Sequence, residues 1–235
     1  MIRFKNVAKQ YPGHGIALSD ITVEIPDGEF VFLIGPSGAG KTTFLRLLIR
    51  DLLPTSGSIH VDDLEVNSLP GSRIHELRRK IGTVFQDFKL LTDRTVFENV
   101  SLGLEILGKN DDEIRTRVTD VLELVGLSAK KNSFPIQLSA GEMQRTGIAR
   151  AIVGGPTILL ADEPTGNLDP DTAEEILDIL NEINKIGTTV VMATHNATIV
   201  NELKKRTLAL HEGKLVSDEV KGRYHIAGKT KHKKI

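Results

Sequence analysis

The chain has 235 residues, of which 40% are hydrophobic and 26% charged, and it contains no cysteine. This composition is typical of a folded globular protein, and it excludes a disulfide scaffold, a thiolate zinc site and a cysteine nucleophile. The net charge of −1 is unevenly distributed, because residues 1–220 carry 24 basic and 31 acidic side chains while the last fifteen positions carry six basic ones. An acidic body of this kind is not expected to bind along a nucleic-acid backbone.

No apolar run approaches the length of about 18 residues that a membrane-spanning helix needs. The longest runs, such as Phe30–Ile34, have the length of a strand. The first six residues do not have the apolar segment of a signal peptide, and we therefore expect a cytoplasmic protein.

The predicted elements of the first sixty residues are mainly strands. Apolar and polar residues alternate in 21–25 and in 58–61, as in half-buried strands, whereas Phe30–Ile34 is apolar throughout. A fully apolar run is typical of a strand that is covered on both faces. A glycine-rich loop follows it, and then a predicted helix over 44–53, which ends at the turn 54–57.

The rest of the chain alternates helices and strands. The elements predicted after residue 110 are, in order, a helix ending at Gly126, a helix over 139–153, a strand over 158–161, a helix over 170–187, a strand over 188–194 and a hairpin formed by 208–210 and 214–216. This order predicts an α/β fold with a parallel sheet at its centre.

The glycine-rich loop predicts a nucleotide site. Residues 35–42 match G-x-x-x-x-G-K-[ST] between a buried strand and a helix, which an ordinary glycine-rich turn would not require. Glycines let backbone N–H groups surround phosphate oxygens, and a helix N-terminus favours negative charge. We expect Lys41 to bridge the β- and γ-phosphates of the nucleotide and Thr42 to offer its hydroxyl to Mg²⁺. The residues expected to bind the nucleotide here are Gly35, Ser37, Gly38, Gly40, Lys41, Thr42 and Thr43.

Three polar residues follow predicted central strands, at the sheet edge where open α/β folds bind ligands. We expect Asp162 to hold Mg²⁺ through water and Glu163 to polarise the attacking water. An acidic turn made rigid by Pro164 is the structural alternative. His195 follows the strand 188–194 and would contact the γ-phosphate from the same edge, with a purely structural histidine as the alternative.

The segment 138–142, Leu-Ser-Ala-Gly-Glu, carries a family resemblance. Taken alone, Ser139 and Glu142 form an S-x-x-E capping box at a helix start. Because the segment lies in order between the phosphate loop and Asp162, the chain from residue 2 to about 224 resembles the nucleotide-binding domain of ABC-type ATPases. The resemblance implies a P-loop NTPase core with a mainly parallel sheet, an N-terminal antiparallel β subdomain and an inserted α-helical subdomain.

The resemblance also implies the domain limits. Residues 1–225 would form one ABC ATPase domain, with 1–86 and 157–225 in the RecA-like core and β subdomain and 87–156 in the helical subdomain. The basic tail over 226–235 is predicted to be disordered, and it would be either simply solvated or placed near anionic lipid.

Individual roles follow from the same resemblance. Tyr11 resembles the aromatic residue that stacks on adenine, although alone it would be interpreted as an edge-strand aromatic. Gln86 resembles the glutamine that senses Mg²⁺ and the attacking water. Ser139 and Gly141 resemble signature residues that contact the γ-phosphate bound to the opposite subunit. Asp169 resembles a residue of the loop that crosses the dimer interface, and it is equally a good helix N-cap.

The signature departs from the commonest family sequence, Leu-Ser-Gly-Gly-Gln, at two positions. If the backbone at Ala140 needs a positive φ, alanine costs about 1 kcal/mol relative to glycine. Glu142 would place a carboxylate near a polyphosphate, where glutamine would be neutral. From these departures we expect slow basal hydrolysis that is not abolished.

One phosphate loop and one signature in the chain imply a homodimer that closes on ATP.

The runs 85–100 and 191–196 resemble the cell-division subgroup of the family, which implies an FtsX-like integral membrane partner and a peripheral position on the inner face of the cell membrane. Phe88, Leu90 and Leu91 would receive a helix of that partner, or would be plain core residues.

Other cellular functions are compatible with the same predicted ATP-binding site. The ATPase subunit of a lipoprotein-releasing or macrolide/peptide exporter is the main alternative. A soluble ABC protein of translation or repair is disfavoured because the chain has neither a second cassette nor a coiled-coil insertion. A non-catalytic regulatory module is disfavoured by the presence of Glu163 and His195.

Overall fold

The computed structural model describes residues 1–13 and 15–224, and the predicted basic tail over 226–235 lies outside them. The strands are, in chain order, β1 (Ile2–Tyr11), β2 (Gly15–Ile25), β3 (Phe30–Ile34), β4 (Ser56–Val61), β5 (Leu64–Glu65), β6 (Ile81–Val84), β7 (Ile158–Asp162), β8 (Thr189–Thr194), β9 (Arg206–His211) and β10 (Lys214–Glu219). The helices are α1 (Lys41–Leu48), α2 (Ile74–Lys80), α3 (Val96–Ile106), α4 (Asp111–Leu124), α5 (Ala140–Ile152), α6 (Pro170–Lys185) and α7 (Ala197–Leu203).

The helices that the apolar periodicity predicts after residue 110 are confirmed. Asn110, Ser139 and Asp169 are the N-caps of α4, α5 and α6, and each side chain accepts a hydrogen bond from a backbone N–H of the first turn. Such caps satisfy donors that a helix leaves unpaired at its start. The predicted strands 158–161 and 188–194 are confirmed as β7 and β8, and the closing hairpin is formed by β9 and β10.

The limits predicted for the first helix, 44–53, are wrong. Helix α1 begins at Lys41, because Gly40 with a φ of 106° turns the chain directly from the loop into the helix. It ends at Leu48, because Arg50 adopts a φ of 51°, which no right-handed helix can continue. The short elements α2, β6 and α7 were not predicted, since seven residues or fewer show too little periodicity.

The first of two compact units contains the described residues within 1–26, 30–71 and 193–235. Its antiparallel sheet has the strand order β2-β1-β4-β5. Ile2 pairs with Ile25 on one side and with Val61 on the other, and all three side chains are buried. In the same unit β9 pairs in parallel with β3 and antiparallel with β10. The N-terminal antiparallel sheet that the family resemblance implies is therefore present.

The second compact unit contains residues 27–29 and 72–192. Its strands follow the order β8-β7-β6, with β6 and β7 parallel and Val84 paired with Ala161. Helix α5 packs against α3, α4 and α6. Because β6 and β7 run in the same direction, the residues that follow them lie at one edge of the sheet, as predicted for Asp162 and Glu163.

Helix α1 is anchored to β1 by an aromatic pair. The rings of Phe4 and Phe44 stack with centroids 4.2 Å apart, and both side chains are at most 1% exposed. We expect Phe44→Ala to lower the free energy of unfolding by about 3–5 kcal/mol, because it removes this contact and leaves a cavity. Urea denaturation measures the loss, and Phe134→Ala, at a side chain that is 41% exposed, is the control. A loss no larger than that of the control would contradict this packing.

Candidate functional site

The phosphate loop is built from glycines in conformations that other residues avoid. Gly35, Gly38 and Gly40 have φ values of 155°, 78° and 106°. Gly40 is the N-cap of α1 and makes no side-chain cap hydrogen bond, so no side chain occupies the N-terminus of the helix. The loop therefore presents backbone N–H groups and a helix N-terminus together, as binding of a phosphate requires.

Lys41 is the buried cation of the loop. Its side chain is only 6% exposed, and its ammonium donates hydrogen bonds to the carbonyl oxygens of Gly35, at 2.8 Å, and Pro36, at 3.2 Å. The positive charge thus lies inside the curve of the loop. Ser37 and Thr42 are exposed on the same segment, where their hydroxyls are accessible to a ligand.

Tyr11 lies beside the start of α1. Its hydroxyl is 3.4 Å from Oγ1 of Thr43, and the ammonium of Lys9 lies 5.4 Å from its ring centroid. Tyr11 pairs with Gly15 of β2, whereas the pairing of β1 with β4 extends only from Ile2 to Ala8, so the end of β1 at Tyr11 has one neighbouring strand, as the edge-strand interpretation requires. The proximity to Thr43 also places Tyr11 beside the phosphate loop, where the family resemblance leads us to expect a residue that stacks on adenine.

His195 lies between β8 and α7. It is exposed, so it is not a histidine of the hydrophobic core. The next residue fixes its backbone, because the Asn196 side chain accepts hydrogen bonds from the N–H groups of Thr198 and Ile199. The Asn196 N–H in turn donates to Oγ1 of Thr194 at 3.0 Å.

In the second unit, Gln86 lies next to the segment that follows β7. Nδ2 of Asn167 is 3.4 Å from the carbonyl oxygen of Gln86, and a Cβ placed on Gly166 would lie 3.2 Å from Nε2 of Gln86. Asp162 is the last residue of β7, and Glu163, which follows it, has a φ of 49°. A left-handed conformation at a residue other than glycine or asparagine is strained, and strain of this kind is frequent at catalytic positions.

The signature and the segment around Asp169 contact each other within this unit. Gly141 lies so close to α6 that a Cβ there would be 2.4 Å from Cγ2 of Thr172. The Thr172 hydroxyl and N–H donate to the carboxylate of Asp169 at 2.7 and 3.0 Å, and these bonds hold the pKa of Asp169 below its usual value. Arg145 also pairs with Glu175 between α5 and α6. Thr172, which the sequence reasoning missed, contacts both Gly141 and Asp169. Ser139 and Asp169 are exposed.

Ala140 does not have the strained backbone that the sequence reasoning considered. It is the first residue of α5, and it is absent from the residues with positive φ in the part of the chain that the structure describes. Glu142 does carry a carboxylate in the first turn, but this group is turned back toward Ser139 and pairs with Lys130. The premise of a strained alanine is therefore wrong, and the Glu142 charge has a partner that was not predicted.

The loop after β6 is held by polar contacts that were also not predicted. The guanidinium of Arg150 donates to the carbonyl oxygens of Phe88 and Lys89 at 3.0 and 2.7 Å, and both of these residues have positive φ. Asn99, which is fully buried, accepts a hydrogen bond from the N–H of Leu91 at 2.8 Å and donates to its carbonyl oxygen at 3.0 Å.

The residues considered for a partner helix are not plain core residues. Phe88 and Leu90 are half-buried, and Leu91 is 40% exposed. This loop therefore presents apolar side chains on a backbone that Arg150 and Asn99 keep in place.

The ABC transporter family profile matches residues 18–166. The chain is 53% identical over 225 residues to the cell division ATP-binding protein FtsE of Mycobacterium tuberculosis. The matched region covers 95% of this chain and 98% of that protein. FtsE of Bacillus subtilis is 52% identical over 224 residues, with the same coverage of 95% and 98%. The chain belongs to the ABC transporter family.

Solved structures of ABC cassettes share this fold. The cassette MJ0796, in a dimeric post-hydrolysis state bound to ADP and Pi, has a TM-score of 0.86 and 37% identity, over 95% of this chain and all of that one. A second dimeric structure of MJ0796 has a TM-score of 0.86 and 38% identity at the same coverage. These findings confirm the predicted fold class and the assignment of this protein as an ABC-type ATPase.

The residues present fit ATP and Mg²⁺. Gly35 leaves no room for a side chain, because a Cβ there would lie 2.4 Å from the carbonyl oxygen of Leu210, and Lys41 supplies the cation for a polyphosphate. The oxygen donors predicted for the metal, Thr42 and Asp162, suit Mg²⁺, which takes few protein ligands besides substrate phosphates. Among the described residues there is no cluster of three or more histidine or acidic side chains that would hold a metal by protein ligands alone.

One cleft of this ABC ATPase lies away from these residues. It has a volume of about 650 Å³ and is lined by α4 and the turn after α5, including Lys109, Arg117 and Gly154. None of the predicted site residues lines it.

The glycines of the loop allow a matched test. We expect Gly40→Ala to lower the free energy of unfolding by about 2 kcal/mol or more, for two reasons. The new Cβ would lie 2.6 Å from the carbonyl oxygen of Ala17, and the alanine would have to adopt an unfavourable φ. Gly38→Ala has the same φ problem but no atom within 4 Å, so a loss of about 1 kcal/mol is expected. Urea denaturation compares the two variants, and equal losses would contradict the described approach of Gly40 to β2.

None of the helices in the described part of the chain is both long and apolar enough to cross a membrane.

Proposed function

We propose that the chain is the ATP-binding and ATP-hydrolysing subunit of a cell-division ABC complex. The observation that carries this proposal is the identity of 47–53% with proteins named cell division ATP-binding protein FtsE, over 92–95% of the chain, in Mycobacterium tuberculosis, Bacillus subtilis and Escherichia coli. The intact phosphate loop, Glu163 and His195 support a catalytic subunit over a regulatory module.

In the proposed mechanism the phosphate loop binds ATP. Backbone N–H groups from Gly35 to Thr43 surround the phosphates, Lys41 moves its hydrogen bonds from loop carbonyls to the β- and γ-phosphates, and Tyr11 stacks on adenine. Mg²⁺, held by Thr42, Gln86 and water bound to Asp162, would neutralise charge on the phosphates when bound.

Hydrolysis is assigned to residues that follow the central strands. The carboxylate of Glu163 accepts a proton from water as the water oxygen bonds to the γ-phosphorus and the bond to the β-phosphate oxygen breaks, giving ADP and phosphate. Gln86 positions the water, and His195 contacts the γ-phosphate. The left-handed φ of Glu163 supports this role, because strained backbone of this kind is frequent at catalytic positions.

We also propose that two copies of the chain close on ATP. Ser139 and Gly141 of one copy would contact the γ-phosphate held by the phosphate loop of the other, and the segment around Asp169 would cross the interface. The exposure of Ser139 and Asp169, and the contacts of Thr172 with both Gly141 and Asp169, support a shared interface surface. The dimeric state of the related cassette MJ0796 gives further support.

The proposed membrane partner is an FtsX-like integral protein, so the ATPase would lie on the inner face of the cell membrane and regulate cell-wall hydrolysis at the septum. The loop with Phe88, Leu90 and Leu91 would receive a partner helix. This proposal is supported in the chain by the half-buried Phe88 and Leu90 and the exposed Leu91, on a backbone held by Arg150 and Asn99.

Purification of the tagged protein from native membranes tests this proposal. We expect one membrane protein of few spans with an extracytoplasmic domain to copurify, and Leu91→Asp to reduce its recovery while ATP binding is retained. Val220→Asp, at a side chain that is 77% exposed on the described surface, is the matched control. Recovery of a lipoprotein-releasing or peptide-export permease instead would contradict the cell-division role.

A further inference from the structure

Glu142 places a full negative charge in the first turn of α5, and the structure shows how that charge is held. Its Oε2 accepts a hydrogen bond from the N–H of Ser139 at 2.8 Å, and its own N–H donates to Oγ of Ser139 at 3.2 Å. Its Oε1 lies 3.1 Å from the ammonium of Lys130, which belongs to a short 3-10 turn at Ser128–Lys130. The carboxylate is thus bound on one side by the helix start and on the other by a cation.

This arrangement creates an electrostatic conflict for any anion that approaches Ser139. The N-terminus of a helix favours one negative charge, and here Glu142 already occupies that field. The Glu142 side chain is 17% exposed while Ser139 is exposed, so its charge is only partly screened from an anion bound at Ser139. A second anion would be repelled unless the Glu142 charge were neutralised nearby.

We propose that Lys130 is a positioning residue of the signature, which neutralises Glu142 and so allows Ser139 and Gly141 to receive the γ-phosphate held by a second copy of the chain. This inference rests on the proposed ATP-dependent dimer. Lys130 acts through Glu142 and does not touch the nucleotide. The backbone N–H of Ser139 and then Lys130 hold the pKa of Glu142 below its ordinary value, so the carboxylate is charged at neutral pH and needs a counter-charge.

The ion pair is not required for folding. The Lys130 side chain is 42% exposed, and exposed ion pairs contribute little to the stability of a fold. The capping hydrogen bonds between Ser139 and Glu142 do not involve Lys130. Removing the ammonium should therefore leave α5 in place and change only the charge that an approaching phosphate meets.

The test measures ATP-dependent dimerisation by light scattering in the Glu163→Gln background, which keeps ATP intact. Lys130→Met should raise the ATP concentration for half-maximal dimerisation about three- to tenfold at low salt, and less at high salt. In a Glu142→Gln background the same Lys130→Met change should shift that concentration by less than about 1.5-fold, because the amide still caps the helix but carries no charge.

The control is Lys131→Met, which changes the net charge equally at an exposed neighbouring position. It should leave the half-maximal concentration unchanged. An equal shift for Lys131→Met, or a Lys130→Met shift that persists with Glu142→Gln, would overturn the inference, since either result would indicate a general charge or packing effect. No shift for Lys130→Met would also overturn it.

Absence of the dimer and absence of a role for Lys130 would give different results. If the Glu163→Gln protein binds ATP but stays monomeric, the proposed dimer is wrong, and the inference about Lys130 falls with it. If that protein dimerises, and Lys130→Met, Lys131→Met and the combined Lys130→Met, Glu142→Gln variant all need the same ATP concentration for half-maximal dimerisation, only the role of Lys130 is wrong. Thermal unfolding of each variant separates both cases from loss of the fold.

Discussion

Glu163→Gln is expected to reduce ATP turnover at least about 100-fold, because the amide cannot accept the proton of the attacking water. ATP binding should be retained, since glutamine has the same shape and the phosphate loop is unchanged. Steady-state phosphate release measures the first effect, and binding of a fluorescent ATP analogue measures the second.

The matched control for this variant is Glu174→Gln, an exposed position on α6 that removes the same charge from the same unit. Its turnover should equal that of the unchanged protein. Turnover of Glu163→Gln within about threefold of the control would contradict the assignment of Glu163, because loss of a general base costs far more than that.

Lys41→Ala is expected to weaken ATP binding by about 10- to 150-fold, the value of losing charge-assisted hydrogen bonds to phosphate. The ammonium is already inside the loop, 2.8 Å from the carbonyl oxygen of Gly35, so it needs only a local shift to reach a nucleotide. Isothermal titration calorimetry with a non-hydrolysable ATP analogue measures the affinity.

Lys5→Ala, at an exposed position of β1, is the control for charge. Because Lys41 is buried, thermal unfolding must show that Lys41→Ala is folded before the affinities are compared. An affinity equal to that of Lys5→Ala in a folded protein would contradict the role of Lys41.

Local structure could be predicted from the sequence where a short segment determines it alone. The capping box at Ser139 and Glu142 was predicted from an S-x-x-E spacing, and both of its hydrogen bonds are present. The helix at Lys41 was misplaced because its start depends on the φ of Gly40, which a glycine permits but does not dictate.

Contacts between distant segments could not be predicted in this way. Lys130 reaches Glu142, Thr172 packs on Gly141, and Arg150 binds the carbonyl oxygens of Phe88 and Lys89 only because the helices pack as they do. Periodicity identifies the buried face of each helix, but it does not give the register of one helix against another. The same limit explains the wrong premise about Ala140, whose φ follows from its place as the first residue of α5.

We propose that one chain holds two half-sites, which a second copy completes. Sedimentation velocity of the Glu163→Gln protein at saturating ATP and Mg²⁺ tests this proposal through the mass of the particle. We expect a dimer with ATP and a monomer with ADP. A protein that remains monomeric while it is saturated with ATP would contradict it.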